Sequence, residues 1–443
     1  MRPILLLMMT GCATEADLAK VHGPPRLVDE VTDDGADGPA GEAEGDGDDS
    51  PPAPCSVDSG GRLPVAEGAF VPQDTPHEGV RERCAGVLHA TSAAVDSTLE
   101  VALDDWSGTA WLEVRALDGS LLAGASLDAG EALTVVAPQS GELLVSIQPE
   151  DSDADAHPYA LSTRCLDGCL PHTRHPIVLM HGMAGDDAWI GVFDYFVGVE
   201  DTLAEAGYRA VAPGVDAFNT VEARAALWQG HLDELEEAGV GRRFNLIGHS
   251  QGGLDARYLA SALDDPRVAS ITTIATPHHG TAVADIATGV LDATPLGSWA
   301  ADAVIDLLAL MLGLGEAELT AQVRDLSSDA AADFNEAVPD RADISYWSWA
   351  GRTCVRTDWE CLNDNEGEIT NAFFALTTRI VTWAEGENDG LVSVESSRWG
   401  EFLGVLPADH IDSVGIHDPT ATAPLDHHAF YRDEADRLAS EGL

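Results

Sequence analysis

The sequence predicts a mainly parallel α/β sheet covered by helices and preceded by a small all-β sandwich, and three observations predict it. From about Pro171 onward, apolar strand-like runs alternate with helical segments, the sign of a parallel sheet with helices on its faces. Between about Cys55 and Cys165 the pattern is instead short runs of alternating apolar and polar residues, as in half-buried strands. The third is Gly248-His249-Ser250-Gln251-Gly252, which follows an apolar run and opens a helical one, with glycines two residues either side of a serine.

At 443 residues the chain is too long for one ordinary core. Four segments are expected: 1–12, an export signal; 13–54, an acidic linker; 55–170, the β sandwich; 171–443, the α/β domain. In the first, Arg2 supplies a positive start, Ile4 to Met9 an apolar stretch, and Met9-Thr10-Gly11-Cys12 a small-residue cleavage site. That tetrapeptide resembles a bacterial lipobox. Cys12 is therefore expected to carry lipid and to hold an exported protein on the outer membrane or cell surface. Cleavage without acylation would give a secreted form. The apolar run is far shorter than the ~20 residues that span a bilayer. Residues 13–54 are mostly Asp, Glu, Gly, Pro and Ala, too poor in large apolar side chains to offset the entropy of folding.

The net charge of −53, with Lys20 as the sole lysine, repels nucleic acid and anionic headgroups. It speaks to solubility and a saline habitat more than to chemistry. Seven cysteines leave an odd one, which lipid on Cys12 accounts for. Of the other six, a Cys354–Cys361 bridge is the one specific pairing expected, and the spacing does not suit zinc.

In the sandwich segment, Thr98 to Leu103, Ala110 to Arg115 and Leu143 to Ile147 read as strands, punctuated at Asp118-Gly119 and Ser140-Gly141. Their rhythm resembles the prepeptidase-type accessory domains of exported bacterial enzymes. No nucleophile–base set is found there, which leaves a spacing or surface-binding role. Beyond it, Pro176 to Met180, Phe244 to Ile247 and Ser270 to Ala275 read as buried strands. Glu200 to Ala206, Glu222 to Ala238 and Leu254 to Leu263 read as helices, and Arg379 to Trp383 as a further strand-like run.

Chemistry is concentrated at Ser250. A serine nucleophile needs its oxygen held clear of the sheet in a sharp turn, and flanking glycines remove the side chains that would collide there. His181-Gly182-Met183-Ala184-Gly185, directly after the first strand of this segment, is the second piece. Acyl transfer builds negative charge on a carbonyl oxygen, and two fixed backbone N–H donors, of Met183 and Gln251, are expected to stabilise it. His181 reads as a structural residue of that turn.

Together with Ile-Ala-Thr-Pro-His-His-Gly-Thr at 274–281, Tyr346-Trp347-Ser348-Trp349-Ala350-Gly351 and Asn388-Asp389-Gly390-Leu391-Val392-Ser393, these motifs resemble the true lipases of Pseudomonas and Burkholderia. Their order and spacing hold from about Pro176 to Gly415, over half the chain, and leave the N-terminal third uncovered. The resemblance implies an α/β-hydrolase fold with Asp389 as triad acid and His410, in Asp409-His410-Ile411-Asp412, as triad base. His427 and His428 rival His410 but sit on a helix-like segment. It also implies a structural calcium near the histidine loop, with Asp412 and Glu368 as carboxylate ligands. The family has aspartate at the second position, and a glutamine beyond the histidine is missing here. The apolar stretch from Asp285 to Leu314, with Trp299, Leu307, Leu308 and Met311, corresponds to a mobile helical lid. The partners implied are neutral lipid or ester at an interface and, left open by the residues, a lipase-specific foldase. A non-lipolytic esterase or polyesterase on the same fold is the rival reading. A catalytically dead surface-binding lipoprotein would require loss of a triad member, and none is lost.

Overall fold

The computed structural model describes residues 55–56, 62–106, 108–150, 156–183, 195–291, 323–355, 370, 374–417 and 425–443. Cys12, the linker, Glu368, Cys361 and the lid residues from 292 onward lie outside them.

Nine strands come first: β1 (Val65–Phe70), β2 (His77–Arg81), β3 (Gly86–Ala93), β4 (Thr98–Asp104), β5 (Ala110–Arg115), β6 (Leu121–Leu127), β7 (Glu131–Val136), β8 (Gly141–Pro149) and β9 (His157–Asp167). They form two sheets, ordered β1-β3-β8-β5-β6 and β2-β9-β4-β7. Period-two burial explains the packing. On β4, Leu99, Val101 and Leu103 are buried and alternate with half-buried residues. They join Leu112 and Val114 of β5 and Leu143, Val145 and Ile147 of β8 in one core. Disulfides join Cys55 to Cys84 and Cys165 to Cys169. Cys354 is also disulfide-bonded.

The remaining strands, β10 (Ile177–Met180), β11 (Ala210–Val211), β12 (Phe244–His249), β13 (Val268–Ile274), β14 (Ser345–Gly351) and β15 (Glu401–Leu406), form one sheet ordered β11-β10-β12-β13-β14-β15. Every pairing in it is parallel. Strands β10, β12 and β13 are buried along their whole length, as a sheet covered on both faces requires. Ile177, Leu179 and Ile247 face one core and Val178, Met180 and Leu246 the other. Helices α1 (Val199–Glu205), α2 (Val221–Glu237), α3 (Gln251–Ser261), α4 (Ala282–Thr288), α5 (Ser328–Ala337), α6 (Ala375–Ala384) and α7 (His427–Ser440) connect and cover the strands. The buried Glu142 of β8 accepts from two partly exposed arginines that precede strands of the parallel sheet, Arg174 at 2.7 Å and Arg242 at 3.0 Å.

One expectation is corrected. The strand-like run Arg379 to Trp383 belongs to helix α6. Its β-branched residues favour strands in isolation, but Thr377, Ile380 and Val381 recur at helical spacing and are buried. Ile380 and Val381 pack on Val283 and Ile286 of α4, and this tertiary contact overrides propensity.

Candidate active site

Strand β12 ends at His249 and α3 starts at Gln251, so the whole reversal falls on Ser250. Its backbone takes φ 54° and ψ −129°, a region that costs a non-glycine residue about 1–3 kcal/mol and persists only where neighbours over-determine it. Here they do. The Ser250 N–H donates to the Ile274 carbonyl at 2.9 Å, and the Ser250 carbonyl accepts from Gly253 at 3.1 Å. Gly252 permits the close approach, because a Cβ there would lie 2.2 Å from the Met180 carbonyl oxygen.

Ser250, Asp389 and His410 are brought together by this turn and the loops after α6 and β15. His410 Nε2 lies 3.0 Å from Ser250 Oγ, and His410 Nδ1 lies 2.8 Å from Asp389 Oδ2. The other Asp389 oxygen accepts the N–H groups of Leu391 at 2.9 Å and Val392 at 2.7 Å. A buried carboxylate so held accepts from Nδ1–H, which leaves Nε2 free to accept the serine proton. The His410 backbone is fixed as well, its N–H donating to the Asp389 carbonyl at 2.8 Å. Ser250 and His410 keep 7% and 6% of their surfaces exposed, so the pair is shielded but still open to a reactant.

Gly182, just beyond β10 and followed by Met183, lies against the same turn. A Cβ on Gly182 would come within 2.7 Å of Ser250 Cβ. Gln251 is the first residue of α3, so its N–H has no acceptor within the helix. His181 is engaged in shaping this loop. Its Nδ1–H donates to the Gly182 carbonyl at 2.8 Å and its Nε2 accepts the Val215 N–H at 3.0 Å. Burial lowers the ring to about 4, so it is neutral near pH 7. His427 and His428, at the start of α7, face other groups: His427 Nε2 donates to the Val197 carbonyl at 2.9 Å, and His428 Nδ1 meets Thr202 Oγ1 at 2.6 Å.

Asp412 is buried two residues beyond His410. Its Oδ1 accepts from His417 Nδ1 at 2.8 Å, while Oδ2 is buried with no hydrogen-bond partner among the described residues. Among those residues no group of three or more His, Cys, Asp or Glu side chains is arranged to hold a metal.

Sequence reasoning missed several residues that shape the site. Arg224 of α2 and Asp255 of α3 form a fully buried pair, and Arg224 also donates to the His181 carbonyl at 2.6 Å. Asp409 braces the turn after His410, its Oδ1 accepting the N–H of Ile411 at 3.2 Å and of Asp412 at 3.1 Å. Tyr195 and His249 are hydrogen-bonded beside Ser250. A charged residue inside an otherwise apolar helical face was the available signal for Arg224.

A six-stranded parallel sheet with this strand–Ser250–helix turn places the molecule in the α/β-hydrolase class. The model of the Palmitoyl protein thioesterase family matches residues 176–305. Triacylglycerol lipase of Pseudomonas fragi is 31% identical over 297 residues, covering 61% of this chain and 98% of that protein. Triacylglycerol lipase of Vibrio cholerae is 30% identical over 296 residues, covering 61% and 89%. The crystal structure of Staphylococcus hyicus lipase matches at 20% identity and a TM-score of 0.44, over 60% of this chain and 95% of that one. The chain belongs to the triacylglycerol lipase family and is an ester hydrolase.

Proposed function

We propose that the protein is an exported lipase that hydrolyses acylglycerol esters through an acyl-enzyme. The observation that carries this reading is the continuous hydrogen-bonded set Ser250–His410–Asp389. His410 Nε2 takes the Ser250 proton as Oγ attacks the ester carbonyl, and returns it to the departing alcohol. Water then repeats the cycle on the acyl group. Asp389 holds the imidazole tautomer and stabilises its cation. The N–H groups of Met183 and Gln251 stabilise the oxyanion, a contribution of about 2.7–4 kcal/mol per donor in comparable sites. The side chains of Met183 and Ile411, each next to a reacting element, pack on the apolar cluster of Val283, Ile286 and Phe374. This offers an acyl chain an apolar wall beside the serine.

Of the stretch Asp285 to Leu314, the first residues belong to the buried helix α4, and the part beyond it is the proposed lid, which would explain substrate choice. An exposed Leu or Ile forfeits roughly 1.5–3 kcal/mol relative to burial, so the closed form should dominate in water and the open form on oil. The net charge of −53 favours neutral droplets over anionic vesicles. Rate against tributyrin concentration is expected to rise steeply past the solubility limit. A hyperbola with no break there would favour the esterase reading.

A structural calcium fits one feature of the site, the buried Oδ2 of Asp412, which has no hydrogen-bond partner among the described residues, since calcium takes hard oxygen ligands. Asp412 and Glu368 would hold it, tying the loop after the base to the segment before α6. A chelator should then lower Tm by removing a ligand bound only in the folded state, and Asp412→Ala should abolish that difference. An unchanged Tm with chelator at low salt would leave the site without calcium. We also propose that Cys12 is acylated and attaches the enzyme to the outer membrane or cell surface. Cys12→Ser should then move to the soluble fraction, and equal membrane fractionation would count against the anchor. A lipase-specific foldase is a proposed partner in folding, and no interaction with nucleic acid is proposed.

A further inference from the structure

The nucleophile is preceded by a histidine that the mechanism does not use. His249 is fully buried, and its two ring nitrogens have different partners. Nε2 lies 2.8 Å from the His410 carbonyl oxygen and Nδ1 lies 2.7 Å from the Tyr195 hydroxyl. A carbonyl oxygen can only accept, so Nε2 carries the proton. Burial, reinforced by the neighbouring His410, holds this ring well below the ordinary histidine range. It is therefore neutral, and Nδ1 accepts the Tyr195 O–H. The Tyr195 oxygen in turn packs on Gly182, where a Cβ would come within 2.9 Å of it.

The result ties three separate loops together. Tyr195, packed against Gly182 next to the oxyanion donor Met183, is hydrogen-bonded to His249, adjoining Ser250. His249 in turn donates to the backbone carbonyl of His410, which also accepts from Ser413 Oγ at 3.0 Å. Resting on the triad reading above, we propose that His249 and Tyr195 are positioning residues that hold the base loop, the nucleophile turn and the oxyanion loop in one mutual register. The need is physical. His410 must alternate between Ser250 Oγ and the leaving alcohol while its ring becomes cationic, and a misplacement of about 1 Å can cost 10²-fold in rate. Anchoring the His410 carbonyl to the residue before Ser250 lets base and nucleophile move only together. The His249 ring sits 4.8 Å from the His410 ring, and being neutral it adds no like charge to the imidazolium that forms.

The test measures kcat and KM separately on p-nitrophenyl butyrate below its solubility limit. It uses Tyr195→Phe, His249→Leu, His249→Gln and the double variant Tyr195→Phe/His249→Leu. Active sites are counted with a fluorophosphonate. Loss of a buried hydrogen bond predicts a fall in kcat of about 10- to 100-fold for His249→Leu and about fivefold for Tyr195→Phe, with KM within about twofold. His249→Gln, which restores an N–H toward the His410 carbonyl, should recover most of the loss. The double variant should lose less than the product of the single losses, because the two side chains act in series. Multiplicative losses, effects confined to KM, or no recovery by His249→Gln overturn the proposal. If His249→Leu folds poorly, Tyr195→Phe removes one oxygen at constant shape, and a wild-type kcat for it overturns the proposal alone. Failure of the triad reading is distinguishable, since the wild-type protein would then not be labelled at Ser250. Labelling at Ser250 with unchanged variant kcat overturns only the positioning role.

Discussion

Ser250→Ala is expected to remove ester hydrolysis, lowering kcat by roughly six orders of magnitude, with His410→Ala costing about as much. The argument is that the two groups form one device. Ser250 Oγ is a weak nucleophile until its proton moves to His410 Nε2, 3.0 Å away, and His410 has nothing to activate once the hydroxyl is gone. Asp389→Ala should cost less, about four orders, because it removes the orienting carboxylate and leaves both reacting atoms. The double variant Ser250→Ala/His410→Ala should be no slower than either single one. Labelling by a fluorophosphonate should vanish in Ser250→Ala and slow strongly in His410→Ala. The fold should survive, because neither side chain is central to a core and Ser250→Ala keeps the Cβ that the turn already accommodates. Near-normal turnover by either single variant would falsify the assignment.

The largest expected effect on stability is from Asp255→Leu, a loss of about 3–5 kcal/mol. Both side chains of the Arg224–Asp255 pair are fully buried, 2.8 Å apart. Trp228 Nε1 donates to the same Asp255 oxygen at 3.2 Å, and Arg224 donates to the carbonyls of Asp216 and His181 at 2.6 Å each. Burial pushes the Asp255 carboxyl up to about 6, although Arg224 opposes the shift. A fully buried pair of this kind contributes little net stability as a whole, because taking both charges out of water offsets their attraction. Removing one partner is a different matter, for it strands a guanidinium in the core. The urea midpoint with its m-value measures the loss, and Arg224→Met/Asp255→Leu should recover part of it because no charge remains buried. Because Arg224 also grips the His181 carbonyl, the loop bearing Met183 should loosen and kcat should fall as well. Unchanged stability in Asp255→Leu would mean that water reaches Arg224.

The strand–turn–helix that bears Ser250 was legible from local sequence because its demands are local. A reversal on one residue between strand and helix needs Gly252 where a Cβ would meet the Met180 carbonyl, and no distant residue can relax that requirement. Continuous apolar runs at β10, β12 and β13 announce a sheet covered on both faces for the same reason. Asp389 and His410 were legible only by resemblance, since nothing in their own spacing links them to a serine 160 residues from the base.

Other features were decided by tertiary structure alone. The run Arg379 to Trp383 became helix because its burial against α4 outweighed β-branched propensity. The Asp255 carboxylate meets Arg224 across a helix pair, and the solvent-exposed reading of most acids in this chain gave no warning of it. The surroundings that set one histidine apart from another were likewise decided by tertiary structure. His410 meets a hydroxyl and a carboxylate, His181 a carbonyl and an N–H, and His249 a carbonyl and a phenol. Sequence determines where backbone sterics permit a nucleophile. The tautomer and charge of each imidazole depend on burial and on the atom opposite each nitrogen, and these exist only once the chain has folded.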